Sequence, residues 1–140
     1  MRIKVKKSTK KGVDSKYVAK AVIISDGKVL LLKRSNYLEK HKNEWDLPGG
    51  HIHNDESLKQ GLFREVFEET GLIVKKAAEV FKSGNDSFFL VQMDIRKVKL
   101  SSEHISHKLF KIKDLNDLDS LTTYYREAIL KCIESIKGTK

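Results

Sequence analysis

The sequence predicts an α/β fold in one domain, a mixed β-sheet with helices on its faces. Three observations predict it. Short β-branched apolar runs recur on both sides of a mid-chain helical segment. A second helical stripe closes the chain. The 140 residues suit one domain and bury enough core to fold without a disulfide or metal staple. No internal repeat and no second domain interrupts this pattern. The expected division is a basic arm or edge strand over residues 1–16 and a folded domain over 17–140.

The elements follow in order. Residues 17–25 (YVAKAVIIS) and 28–34 (KVLLLKR) flank Asp26-Gly27, which is the best hairpin signal in the chain. Residues 35–43 form a polar loop. Residues 45–50 (WDLPGG) predict a short extended piece ending in a tight turn at Gly49-Gly50, with the only proline, Pro48, inside it. Asn54-Asp55-Glu56-Ser57 supplies helix-start residues. That helix is expected to run to Thr70 and stop at Gly71, a suitable C-terminal cap. Residues 72–82 and 87–98 predict two strands, and residues 107–113 a short one. A last helix over 122–136 carries Tyr125, Ile129, Cys132 and Ile136 on one stripe.

Charge excludes less than it suggests. The formal net charge is +9, which invites a nucleic-acid reading. Residues 1–20 hold eight basic residues and one acid, so the remaining body is nearly neutral. No apolar run approaches the ~20 residues of a membrane span. One cysteine, Cys132, excludes an internal disulfide and suits a reducing, cytoplasmic setting.

The mid-chain helix concentrates acid. Glu65, Glu68 and Glu69 stand at i, i+3 and i+4, so their carboxylates share one face. Like charges at those spacings repel, and a cation between them removes the repulsion. Oxygen donors without cysteine favour a hard ion, Mg²⁺ first and Mn²⁺ as substitute. The triplet alone leaves a solvated acidic face as the other reading. The surroundings bear on that choice. Gly49 and Gly50 precede the helix, and their bare backbone can approach a ligand or offer a carbonyl to a metal. Arg64 can hold a carboxylate in a fork. Gly61 costs about 1 kcal/mol relative to alanine inside a helix, and close approach of the glycine loop would explain it.

The segment from Gly50 to Leu72 reads G-x5-E-x7-R-E-U-x-E-E-x-G-U, with U aliphatic. This resembles the Nudix box, the signature of the Nudix (MutT-like) hydrolases, at every defined position. A chance match of its seven fixed residues is rarer than about 1 in 10⁷ per start position. The box covers 23 of 140 residues. The resemblance implies an α/β/α sandwich with a mixed sheet and the box as loop-helix-loop. It implies Mg²⁺-dependent hydrolysis of a nucleoside diphosphate linked to another moiety. Glu68 and Glu69 would be the chief metal ligands, with Glu65 a third ligand or the general base. The Gly49 carbonyl would complete the metal's shell. Arg64 would orient the glutamates and Glu56 would brace the loop, with Gly50 and Gly71 structural. Glu103 is a second candidate base or ligand.

Substrate signals are sparser. The proline that ADP-ribose hydrolases carry after the box is absent. Where dinucleoside polyphosphate hydrolases tend to carry a tyrosine, this chain has Phe88 and Phe89. Elimination favours a nucleoside triphosphate cleaved to monophosphate and pyrophosphate. Candidate substrate contacts are Arg34, Trp45, His51 and Phe89, with Tyr37 and Phe88 as further stacking candidates. Two rivals remain. One is an RNA 5′-end pyrophosphohydrolase or decapping-type enzyme using the basic N-terminal residues. The other is a non-catalytic ligand-sensing module.

Overall fold

The computed structural model describes residues 14–35, 44–118, 121 and 123–138. The alternation in β1 (Asp14–Ser25) sets the architecture. Ala19, Ala21 and Ile23 point to one side, and Val22 and Ile24 to the other, all buried. A strand buried on both faces requires a covering layer on each. α1 (Leu58–Thr70) covers the first side with Leu62 and Val66. α2 (Thr123–Lys137) covers the second with Ala128, Ile129 and Cys132. The result is the α/β/α sandwich that the box resemblance implies.

β1 turns into β2 (Lys28–Arg34) through Asp26 and Gly27, at φ 53° and 74°. Two positive φ angles match the type I′ turn that Asp-Gly favours. Only Ile24–Val29 and Ser25–Lys28 then pair before the strands diverge. β6 (Asp86–Gln92) runs parallel to β1 along its other edge, and β7 (His104–Lys111) lies antiparallel along the other edge of β2. Two short strands therefore fill the gap between β1 and β2. β3 (Trp45–Asp46) pairs with β2, and β4 (Gly49–His53) pairs with β1. β5 (Ala78–Ser83) closes the sheet beyond β6. One parallel pair among antiparallel pairs makes the sheet mixed, as expected.

Several boundaries differ from the sequence expectation. β1 begins at Asp14, so residues 14–16 belong to the sheet; residues 1–13 of the basic arm lie outside the described residues. Gly49-Gly50 is the start of strand β4 and not a tight turn, because β1 offers it ladder partners at Ala19 and Lys20. Residues 72–77 are irregular. They still alternate, with Leu72 and Val74 buried and Ile73 67% exposed, but among the described residues no strand pairs with them. β6 stops at Gln92, and beyond it the Ile95 N–H donates to the Ser25 hydroxyl instead of to a ladder. β7 starts at His104, and Ile112–Asp117 forms a 3₁₀ turn where a strand end was expected. Among the described residues no helix is long and apolar enough to cross a membrane.

Cys132 is fully buried against the α2 face of the sheet, and burial pushes its thiol up to about 12. Thiolate is the reactive form. Cys132 is therefore expected to resist a thiol reagent in the native protein and to react on unfolding. Stoichiometric labelling without denaturant would show that this stripe of α2 is not packed against the sheet.

Candidate active site

Helix α1 is fixed at both ends, and this sets where its acids point. Ser57 and Gln60 form a capping box: the Ser57 hydroxyl accepts from the Gln60 N–H at 3.1 Å, and the Gln60 side chain accepts from the Ser57 N–H at 2.8 Å. Gly71 ends the helix at φ 76°, and its N–H donates to the Phe67 carbonyl. Glu65, Glu68 and Glu69 then face one cleft of about 700 Å³. Gly49, Gly50, His51, Arg34 and Glu103 also line it, as do Lys20, Asp86, Ser101, Ser102 and Tyr125.

Arg64 organises the acids. Its Nε and Nη2 donate to the two oxygens of Glu56 at 2.6 and 3.0 Å, a fork-on-fork pair. Its Nη1 reaches Glu65 at 3.3 Å and Glu68 at 3.2 Å, and its Nη2 also reaches the His51 carbonyl at 3.2 Å. Glu56 in turn accepts from the His53 N–H at 2.9 Å, which ties the loop to the helix. Hydrogen bonding from Arg64, outweighing partial burial, holds Glu56 below the usual carboxylate range.

An added Cβ would collide at three glycines, with backbone at Gly49 and with side chains at Gly50 and Gly61. A Cβ on Gly49, which sits at φ 131°, would lie 2.2 Å from the Ala19 carbonyl oxygen. One on Gly50 would meet the Glu65 carboxyl group at 2.9 Å. One on Gly61 would meet Ile52 at 2.4 Å and Glu56 at 3.0 Å. Close approach does explain Gly61, although its neighbours are β4 and the bracing glutamate rather than the two loop glycines.

The carboxylates are short of positive charge. Burial pushes Glu69 up to about 8, although Lys20 and the Gly49 N–H at 2.9 Å pull it down. Burial also raises Glu65 above its usual range, against the pull of Arg64. Glu68 is the most open, with 55% of its side chain exposed. Such all-oxygen donors fit a hard divalent cation. Among the described residues no three acidic, histidine or cysteine side chains already converge on one point, and Arg64 engages one oxygen each of Glu65 and Glu68.

Two of the substrate candidates stand elsewhere. Phe89 is 2% exposed and packs in the core beneath α1, because the β6 alternation turns it away from the cleft. Trp45 packs edge-on against Phe110 at 4.9 Å and lines a smaller pocket of about 120 Å³ beside the cleft. Phe88 is buried beneath α2, and Tyr37 lies outside the described residues. The far wall of the cleft is tied to α1: the Lys99 N–H donates to the Thr70 carbonyl at 2.8 Å, and the Ser101 N–H to the Glu69 carbonyl at 3.2 Å.

Sequence reasoning missed Lys20, which forms a buried pair with Asp46 at 3.1 Å. Burial opposes both charges, yet each is held by the other: Lys20 stays above the usual lysine range and Asp46 well below the usual aspartate range. The signal was a charge inside the apolar run YVAKAVIIS. Arg34 Nη1 stands 3.5 Å and His104 Nε2 3.7 Å from the other oxygen of Asp46.

A family model described as NUDIX domain matches residues 16–127. The bovine (Bos taurus) m7GpppN-mRNA hydrolase NUDT17 is 45% identical over 64 residues, 44% of this chain and 20% of that protein. The ADP-ribose pyrophosphatase of Methanocaldococcus jannaschii is 43% identical over 54 residues, 39% of this chain and 31% of that protein. The chain thus spans about a third or less of the length of these two relatives. The solved MutT protein of Methanosarcina mazei Go1 is 31% identical, with a TM-score of 0.67, covering 89% of this chain and 95% of that one.

Two stability outcomes follow from the contacts. Gly61→Ala, which helix propensity alone would favour, is expected to destabilise by about 1–3 kcal/mol through overpacking against Ile52; equal or greater stability in chemical denaturation would refute the contact. Asp46→Asn leaves Lys20 buried without its counter-charge and is expected to cost about 3–5 kcal/mol. Because Asp46 titrates lower in the folded chain, its contribution is complete above its ordinary value of 3.8 and is lost as pH falls below it. The stability gap between wild type and Asp46→Asn should therefore narrow in acid; a gap that widens there would refute the pairing.

Proposed function

The chain belongs to the NUDIX family, and from that premise we propose that it is a divalent-metal-dependent pyrophosphohydrolase. Its substrate is a nucleoside diphosphate linked to another group, with a nucleoside triphosphate as the first choice. The observation that carries the reading is the wall of Glu65, Glu68 and Glu69 facing the Gly49 backbone across one cleft.

Glu68, Glu69, Glu65 and the Gly49 carbonyl are the residues proposed to hold Mg²⁺ or Mn²⁺. When bound, the ion neutralises phosphoryl charge and lowers the pKa of water. The chain's own groups do the rest. Arg64 keeps Glu65 and Glu68 oriented through Nη1 and anchors itself on Glu56. Glu65, half-buried and raised in pKa, and Glu103, exposed on the opposite wall, are the two proposed proton acceptors. Arg34 and His51 line the same cleft within reach of an anionic substrate.

A second reading, an enzyme of RNA 5′ ends, draws support from the likeness to m7GpppN-mRNA hydrolases and from the basic N-terminal residues. Its phosphate contacts would make binding strongly salt-dependent. Deleting residues 1–13, which leaves β1 whole, should then weaken RNA binding; unchanged RNA affinity excludes a role for the arm.

The primary test is a substrate panel with Mg²⁺ or Mn²⁺: nucleoside triphosphates, ADP-ribose, dinucleoside polyphosphates, and triphosphorylated or capped RNA. Turnover that disappears with a chelator and returns with Mg²⁺ is the expected result. Glu68→Gln and Glu69→Gln should each lower kcat by orders of magnitude with the fold retained. No turnover on any member would defeat the enzyme reading, and near-wild-type rates in both variants would defeat the metal assignment.

A further inference from the structure

Lys20 occupies a position where a charge is costly, the centre of a strand buried on both faces. It is 7% exposed. Its Nζ donates to Asp46 Oδ1 at 3.1 Å, to the Leu47 carbonyl at 3.1 Å and to the Gly49 carbonyl at 3.3 Å. An ammonium has three donors, so its whole capacity is spent on these acceptors. All three lie within residues 46–49, from the end of β3 through the link to the start of β4. The Pro48 carbonyl in the same link accepts the Ala21 N–H of β1 at 2.8 Å. The Gly49 N–H donates to Glu69 at 2.9 Å. The peptide that carries the Gly49 oxygen is thus held from β1 on one side, and its residue is held by α1 on the other.

We infer that Lys20 is a positioning residue that aims the Gly49 carbonyl for the divalent cation. The inference rests on the metal reading above. A carbonyl oxygen has two lone pairs; engaging one with a buried ammonium fixes the direction of the other. A residue with the same charge but a planar fork does not reproduce three rotatable donors on one nitrogen. Lys20 therefore acts through Gly49 and touches no reacting atom.

The test uses Mn²⁺ alone as probe, read by the paramagnetic signal of the free ion, beside steady-state kinetics. Lys20→Met combined with Asp46→Leu removes both members of the ion pair together, an exchange that buried pairs often tolerate, and Lys20→Arg controls for the charge that Lys20 lends to Glu69. Lys20→Arg keeps the charge. Both folded variants are expected to bind Mn²⁺ at least tenfold more weakly than wild type. Turnover should fall through kcat more than through KM and recover as Mn²⁺ is raised, a rescue that a loosened core does not give. Wild-type Mn²⁺ affinity in either folded variant overturns the inference. If the double variant does not fold, Lys20→Arg decides it. Absence of Mn²⁺ uptake by the wild type itself would instead defeat the metal reading, so the two failures are separable.

Discussion

The Arg64 guanidinium meets five oxygens: two from Glu56, one each from Glu65 and Glu68, and the carbonyl of His51. Those acceptors come from the loop before α1, from α1 itself and from strand β4. One planar cation thereby fixes the spacing of three segments that pack against one another. The choice of arginine follows from the geometry, since a lysine ammonium presents three donors and no fork. The same pairing leaves the site with less positive charge than its acids require. Glu69, beyond the reach of Arg64, stays under-compensated, and burial raises it.

The sheet supplies the opening. β1 and β2 separate after two residue pairs, and the short β3 and β4 occupy the gap. The link between these two strands brings Gly49 against α1, and the buried Lys20–Asp46 pair holds that link from the sheet side. The cleft is thus framed by a divergence of strands, by a helix and by one buried ion pair. Each glycine at its edge stands where a side chain would collide with backbone or carboxylate.

Much of this was legible in the sequence. Asp26-Gly27, the capping residues and Gly71 are local signals, and each acts within its own turn. The carboxylate triplet is also local, because helical spacing alone places it on one face. The cleft itself joins the acids to Gly49, His51, Arg34 and Glu103, residues far apart in the chain. What failed depends on partners distant in sequence. Alternation marks residues 72–77 as extended but cannot say that no strand lies beside them. Aromatic type cannot say which face of β6 Phe89 takes, because both faces are covered. Lys20 stood out as a charge in an apolar run, yet its three acceptors appear only when β3 and β4 are in place.

The hydrogen bonds from Lys99 and Ser101 to the last carbonyls of α1 have a mechanical consequence. The backbone leading to Ser102 and Glu103 is bolted to the end of the helix that carries Glu68 and Glu69. The two sides of the cleft therefore translate together, like jaws cut from a single block. Any shift of the last turn of α1 is therefore passed directly to the backbone that carries Ser102 and Glu103.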